Sequence, residues 1–153
     1  MSLKEKIEAD LKHAVKSGDS DRRDLLRMIK ARILEAEVAL RSKRGRDYRL
    51  TDAEAVEEIT RYAKQRRQSI DAYREGGRED LAAREQSELD ALQDYLPRQL
   101  SREEIETLVR ESIAEAEATS PADLGAVMRL AMAKAKGKAD GKVVNQVARD
   151  MLG

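Results

Sequence analysis

The sequence predicts an all-α protein, with an N-terminal domain of about four helices (residues 1–97) and a small C-terminal three-helix domain (residues 98–153). Three observations carry this. Apolar residues recur at three- and four-residue spacing along nearly the whole chain, and no segment shows strand-like alternation. Ser2 with Glu5, Thr51 with Glu54 and Ser101 with Glu104 are capping boxes, in which hydroxyl and carboxylate satisfy the free N–H groups at a helix start. Only 8 Gly and 2 Pro interrupt 153 residues of which 39% are charged, a composition that favours long helices with one solvated face.

The elements follow in order. Leu3, Ile7, Leu11, Ala14 and Val15 share one face of a first helix that Gly18 ends. Asp19 or Ser20 caps a second helix carrying Leu25, Met28, Ile29, Ile33, Ala36 and Leu40. Residues 41–49 then read as a loop by composition. Val56, Ile59, Ala63, Ile70 and Tyr73 keep the helical period from Thr51 to Gly76-Gly77. A fourth helix carries Leu81, Leu89, Leu92, Tyr95 and Leu96, and Pro97 stops it. Ser101 opens a fifth, with Ile105, Leu108, Val109 and Ile113. Ser120-Pro121 opens a sixth with Leu124, Val127, Met128, Ala131 and Ala135, which Gly137 ends. Asp140 caps a seventh with Val143, Val144, Val147 and Leu152. The expected boundary is the stretch Leu96 to Leu100. One continuous bundle is the alternative.

Composition excludes several function classes. Without Cys there is no disulfide, thiolate metal site or cysteine nucleophile. One His leaves no His-rich metal site, and no metal or cofactor is expected. The longest apolar run, Leu130 to Ala133, is far too short to span a membrane. Met1-Ser2-Leu3-Lys4-Glu5 lacks the apolar core of a signal peptide, so the expected location is the cytoplasm. His13 falls on the solvated face of the first helix, and no pair of carboxylates stands out from an acidic background. There is no Gly-rich phosphate loop and no nucleophile elbow, so no catalytic residue is assigned.

The charges sum to zero but are laid out in blocks. Residues 1–50 and 124–149 are each net +5, while 51–97 and 101–123 are each net −5. Such blocks suit helices that pair across a bundle, or basic faces that meet an anionic polymer. The strongest candidate for RNA contact is the set Gly125, Arg129, Lys134, Lys136, Gly137, Lys138 and Lys142, across a helix end, a turn and the next helix start. Glycines there permit close approach, and free N–H groups at a helix start favour phosphate. Gly125, Arg129, Met132 and Lys136 are expected on one flank of the sixth helix. A secondary basic cluster comprises Arg41, Lys43, Arg44, Arg46 and Arg49, with Tyr48 among them as a ring able to stack on a base, and Lys64, Arg66 and Arg67.

At three stretches the sequence resembles the GatB/YqeY family, specifically its free-standing YqeY-like members. They are Lys64-Gln65-Arg66-Arg67-Gln68-Ser69-Ile70 with Tyr73; Gly77-Arg78-Glu79-Asp80-Leu81 through Tyr95-Leu96-Pro97-Arg98-Gln99-Leu100-Ser101; and Asp123-Leu124-Gly125-Ala126-Val127-Met128 with Lys136-Gly137-Lys138-Ala139-Asp140-Gly141 and Val144-Asn145. The resemblance implies a helical N-terminal domain and a three-helix C-terminal domain. The same pair forms the tail of the B subunit of glutamine-dependent tRNA amidotransferase, where it holds the tRNA elbow. It therefore implies tRNA, an amidotransferase or an aminoacyl-tRNA-related protein as partner. The family label, carbon–nitrogen ligase with glutamine as amido-N-donor, belongs to the whole complex, whose catalytic cradle has no counterpart here. Ala126 stands where the family often has Lys, and Ala133 where it often has Pro. The competing expectation is a helical protein–protein adaptor that never meets RNA.

Overall fold

The computed structural model describes residues 1–153 and consists of seven α-helices and two short 3₁₀ turns. The chain divides into two compact units, Met1–Leu96 and Pro97–Gly153. The first contains α1 (Leu3–Ser17), α2 (Ser20–Arg44), α3 (Asp52–Glu75), α4 (Glu79–Leu92) and a 3₁₀ turn over Gln93–Tyr95. The second contains α5 (Arg102–Ala116), a 3₁₀ turn over Pro121–Asp123, α6 (Leu124–Ala135) and α7 (Gly141–Leu152).

The three capping boxes form as their spacing requires, and Gly18 closes α1 in the left-handed conformation at φ 76°. The core of the first unit is aliphatic: Ile7, Leu26, Ile29, Ile59 and Leu92 are fully buried, with Tyr62 and Tyr95 the buried aromatic rings. Its margin is polar and tightly bonded. The Tyr95 hydroxyl donates to Asp10 Oδ2 at 2.7 Å and accepts from Arg22 Nη2 at 3.1 Å, and Arg22 also reaches Asp94 at 3.2 Å. Burial and the bond to Asp10 hold the Tyr95 phenol well above its ordinary range. The turn after α4 is thereby fastened to α1 and α2.

The sequence places a loop at 41–49, whereas α2 continues through Arg44 and only residues 45–51 connect it to α3. The reason lies one turn earlier. Glu37, 5% exposed, pairs with Lys4 and accepts the Leu50 N–H at 3.1 Å. Burial opposes its charge, yet those two partners draw the carboxyl below its usual range. Leu40 packs on the core just beyond it, so the following turn stays helical, and its cations suit a helix C-terminus.

In the second unit Val109, Val127, Ala131, Val144 and Ala148 are fully buried, and Leu100, Met128 and Met132 pack around them. The entering segment is pinned where the Leu100 N–H donates to Lys138 O at 2.8 Å. Pro121 begins a 3₁₀ turn rather than an α-helix, and Asp123 Oδ2 accepts the Thr119 and Ser120 N–H groups at 2.9 and 3.3 Å. Helix α6 ends at Ala135, ahead of the glycine expected to stop it. Lys136 and Gly137 are both left-handed, at φ 45° and 78°.

We propose that the two units are independently folding domains. Limited proteolysis should release an intact C-terminal fragment by cleavage near Arg98 before either core is cut. Protection of residues 90–105 throughout digestion would favour a single cooperative bundle. A second expectation concerns pH. Arg98 grips Glu104 through both carboxylate oxygens at 2.9 and 2.8 Å, which with the Ser101 cap holds this carboxyl at about 2. Its pKa is lower folded than unfolded, so its stabilisation is present above the ordinary carboxylate range and fades as pH falls toward 2. Glu104→Gln should lower Tm at neutral pH, and the difference from the parent should close in acid.

Candidate nucleic-acid interface

The helix α6, the turn Lys136 to Asp140 and the start of α7 bring together most of the expected RNA-contacting residues, within the second unit. Arg129, Lys136 and Lys138 are exposed and form no ion pair within the chain. Arg129 stands on α6, and the turn that carries the two lysines is tied by hydrogen bonds. The Lys136 N–H bonds to Met132 O at 3.2 Å, the Lys138 N–H to Ala135 O at 2.9 Å, and Gln99 Nε2 donates to Gly137 O at 3.4 Å. A left-handed, non-glycine residue costs about 1–2 kcal/mol. Lys136 accepts that conformation, and its ammonium remains in solvent.

Other members of the set are placed differently from the sequence expectation. Lys134 Nζ lies 2.8 Å from Glu115 Oε2, so the acidic helix α5 neutralises this cation. The start of α7 does not offer an open row of donors, because Asp140 Oδ1 accepts the Lys142 N–H at 3.1 Å. The Lys142 side chain is exposed. Gly141 faces the core rather than a ligand: a Cβ there would lie 3.6 Å from Met132 Cε. Met132 packs on that core, so it does not share an outward flank with Arg129, and Lys136 lies beyond the end of α6. Gly125 is exposed on α6 with open space where a side chain would stand. The members of the set left exposed and outside any ion pair are Gly125, Arg129, Lys136 and Lys138, and Lys142 is exposed as well.

About half of the secondary cluster is absorbed by the fold of the first unit. Arg41 lies 3.9 Å from Glu37. Arg44 Nη1 donates to the Tyr48 hydroxyl at 2.8 Å and its guanidinium sits 5.1 Å from that ring. The Tyr48 hydroxyl in turn bonds Glu54, which raises the phenol and lowers the carboxyl. Tyr48 therefore closes the α2–α3 connection instead of standing free to stack on a base. Arg66 pairs with Glu85 at 2.9 Å and lies 5.1 Å from the Tyr62 ring, so it too is structural. Glu88, on the same patch, is pushed up by burial and by its neighbour Glu85. Arg67 is half-buried, and Lys43, Arg46, Arg49 and Lys64 are exposed. His13 is exposed as expected and lines an open depression of about 300 Å³ with Asp10, Ser17, Asp19 and Arg22. No group of three or more His, Asp or Glu side chains is arranged to hold a metal ion.

Comparison with known proteins gives this geometry its context. The family model for Yqey-like proteins matches residues 4–152. The chain belongs to the YqeY-like family. The likeness carried by the three motifs therefore extends over almost the whole sequence. The chain is also similar to "Altered inheritance of mitochondria protein 41, mitochondrial" from Pyrenophora tritici-repentis, at 32% identity over 129 residues, covering 80% of this chain and 67% of that protein. The protein of the same name from Saccharomyces cerevisiae is 30% identical over 90 residues, 59% of this chain and 46% of its own length. That from Eremothecium gossypii is 31% identical over the same span, with the same coverage. The chain thus spans about half the length of the yeast relatives it matches. Among its own helices, none is long and apolar enough to cross a membrane.

Proposed function

We propose that this YqeY-like protein is a binding module for structured RNA, with tRNA as the partner, and that its second unit makes the contact. The observation that supports this most is the set Arg129, Lys136 and Lys138, three exposed cations without an internal counter-charge, the first on α6 and the two lysines on the hydrogen-bonded turn that follows it. Opposite charge lies on α5, where Glu103, Glu106, Glu111 and Glu115 make the helix acidic. One side of this small unit therefore attracts a polyanion and another repels it, which orients the encounter. No aromatic residue lies between 124 and 153, so base stacking cannot supply sequence choice. Recognition by shape and phosphate backbone is the mode that these residues support.

In this reading the protein holds RNA for chemistry carried out elsewhere, as the tail of a tRNA amidotransferase does. The likeness to that tail is what links it to glutamine-dependent amide transfer. The cytoplasm is the compartment proposed for it. The fungal relatives carry a mitochondrial name, and imaging of a tagged chain decides between the two. A second reading, a protein–protein adaptor, is favoured by one observation, the exposed apolar side chains Leu34 and Val38 on α2, each 53% exposed.

Titration of the protein with tRNA at several salt concentrations tests the main proposal. With about three phosphates neutralised, log Kd against log salt should have a slope of magnitude about 2–3. Charge reversal at Arg129 and Lys136 together should weaken binding and flatten that slope while helix content is kept. Lys136→Gly relieves the left-handed strain, so it should retain full stability and still lose affinity. Salt-independent binding, or none at low ionic strength, would remove RNA as the partner. Incubation of the isolated chain with glutamine, ATP and mischarged tRNA should give no amidated product above a blank. Turnover by the pure protein would overturn the holding role.

A further inference from the structure

One basic side chain of the second unit is held by an acid that the acid's own helix does not favour. Lys134, in the last turn of α6, places Nζ 2.8 Å from Glu115 Oε2. Glu115 stands in the last turn of α5, which has no basic residue of its own. The C-terminal end of a helix carries partial negative charge, so a carboxylate there is mildly destabilising. An ion pair open to solvent is mildly stabilising, and here 54% of the Glu115 side chain and 33% of the Lys134 side chain are exposed. The two effects are of similar size and opposite sign. The pair therefore adds little to the fold, and its consequence lies in the charge of Lys134.

That charge matters because of its place in the chain. Lys134 precedes Lys136 by two residues and Lys138 by four, and both of those are exposed without an ion pair. A carboxylate and a phosphate offer an ammonium the same kind of acceptor oxygen, so Glu115 occupies the position that a phosphate would take on Lys134. Glu111, one turn earlier on α5, is exposed and holds no cation, so not every acid of that helix is tied to a lysine.

We propose that Glu115 is an internal counter-ion that keeps Lys134 out of RNA contact and so limits the affinity of the second unit; this rests on the RNA-binding reading given above. In the parent chain Arg129, Lys136 and Lys138 neutralise phosphate, whereas Lys134 and Glu115 together bring no net charge. Displacing the carboxylate would bare its charge beside the polyanion, so a phosphate gains nothing by the exchange. Removing the acid adds one cation to the contact. One further phosphate neutralised steepens the log–log salt dependence by about 0.7–0.9 and tightens binding about fivefold at 0.1 M salt.

Reductive methylation of the full chain with and without tRNA, read lysine by lysine in a mass spectrometer, tests this directly. In the parent, tRNA should protect Lys136 and Lys138 and leave Lys134 as reactive as in the free protein. In Glu115→Gln, Lys134 should join the protected set, and slope and affinity should change as stated while Tm stays nearly constant. Glu111→Gln removes an equal charge without freeing a lysine, so it should leave Lys134 unprotected. Protection of Lys134 in the parent, its absence in Glu115→Gln, or equal protection in Glu111→Gln would each overturn this inference and leave the RNA reading standing. No binding at low salt and no protected lysine would remove the RNA reading, and this inference with it.

Discussion

A core almost without aromatic bulk constrains everything else in this protein. With no Phe, no Trp and four Tyr, apolar contact comes from slender aliphatic stripes, and many of the buried positions are Ala. Such stripes stabilise each helix modestly, so helix ends and edges must supply the rest. Three capping boxes and a dense set of edge ion pairs do so. Glu37 shows the principle at its strongest. A buried carboxylate is costly alone, but Lys4, Arg41 and the Leu50 N–H surround it, and through it α1, α2 and the α2–α3 connection become one piece.

Periodicity and capping chemistry made most of this fold legible, because both act within a few residues of sequence. Five of the seven α-helices start at a residue whose side chain caps the first turn. What local reasoning missed was set by partners distant in sequence. Residues 41–44 look like loop by composition, yet they continue α2 because Glu37 and Leu40 anchor the turn before them. A charged residue on an otherwise apolar stripe, Glu37 after Ile33, was the available signal. Tyr48 could be seen as a ring among cations, but not that Glu54, six residues on, would take its hydroxyl.

The same distinction separates the cations of the candidate interface. A count of lysines treats Lys134 and Lys136 alike. In the fold Lys134 meets Glu115 across two helices, while Lys136 turns away after the helix has ended. Asp140 illustrates it again: a helix start favours anions, and the sequence had already placed one there. Net charge over a segment therefore overstates what is free to bind. The set of unpaired cations is narrower than the basic stretch that suggested it.

Lys136 is the most informative of the residues that remain. Glycine would occupy its left-handed position without strain, and Gly137 follows immediately in the same conformation. Glu117, at the end of α5, adopts a similar φ of 53°, so the geometry by itself is a way of ending helices in this unit. Conformation alone would favour glycine at either place. A lysine there, with its backbone bonded and its side chain free, trades local stability for a cation at the apex of a turn that Leu100 and Gln99 hold in place. Glu117 bears the same strain without a positive charge, so what sets Lys136 apart is the cation it holds in solvent.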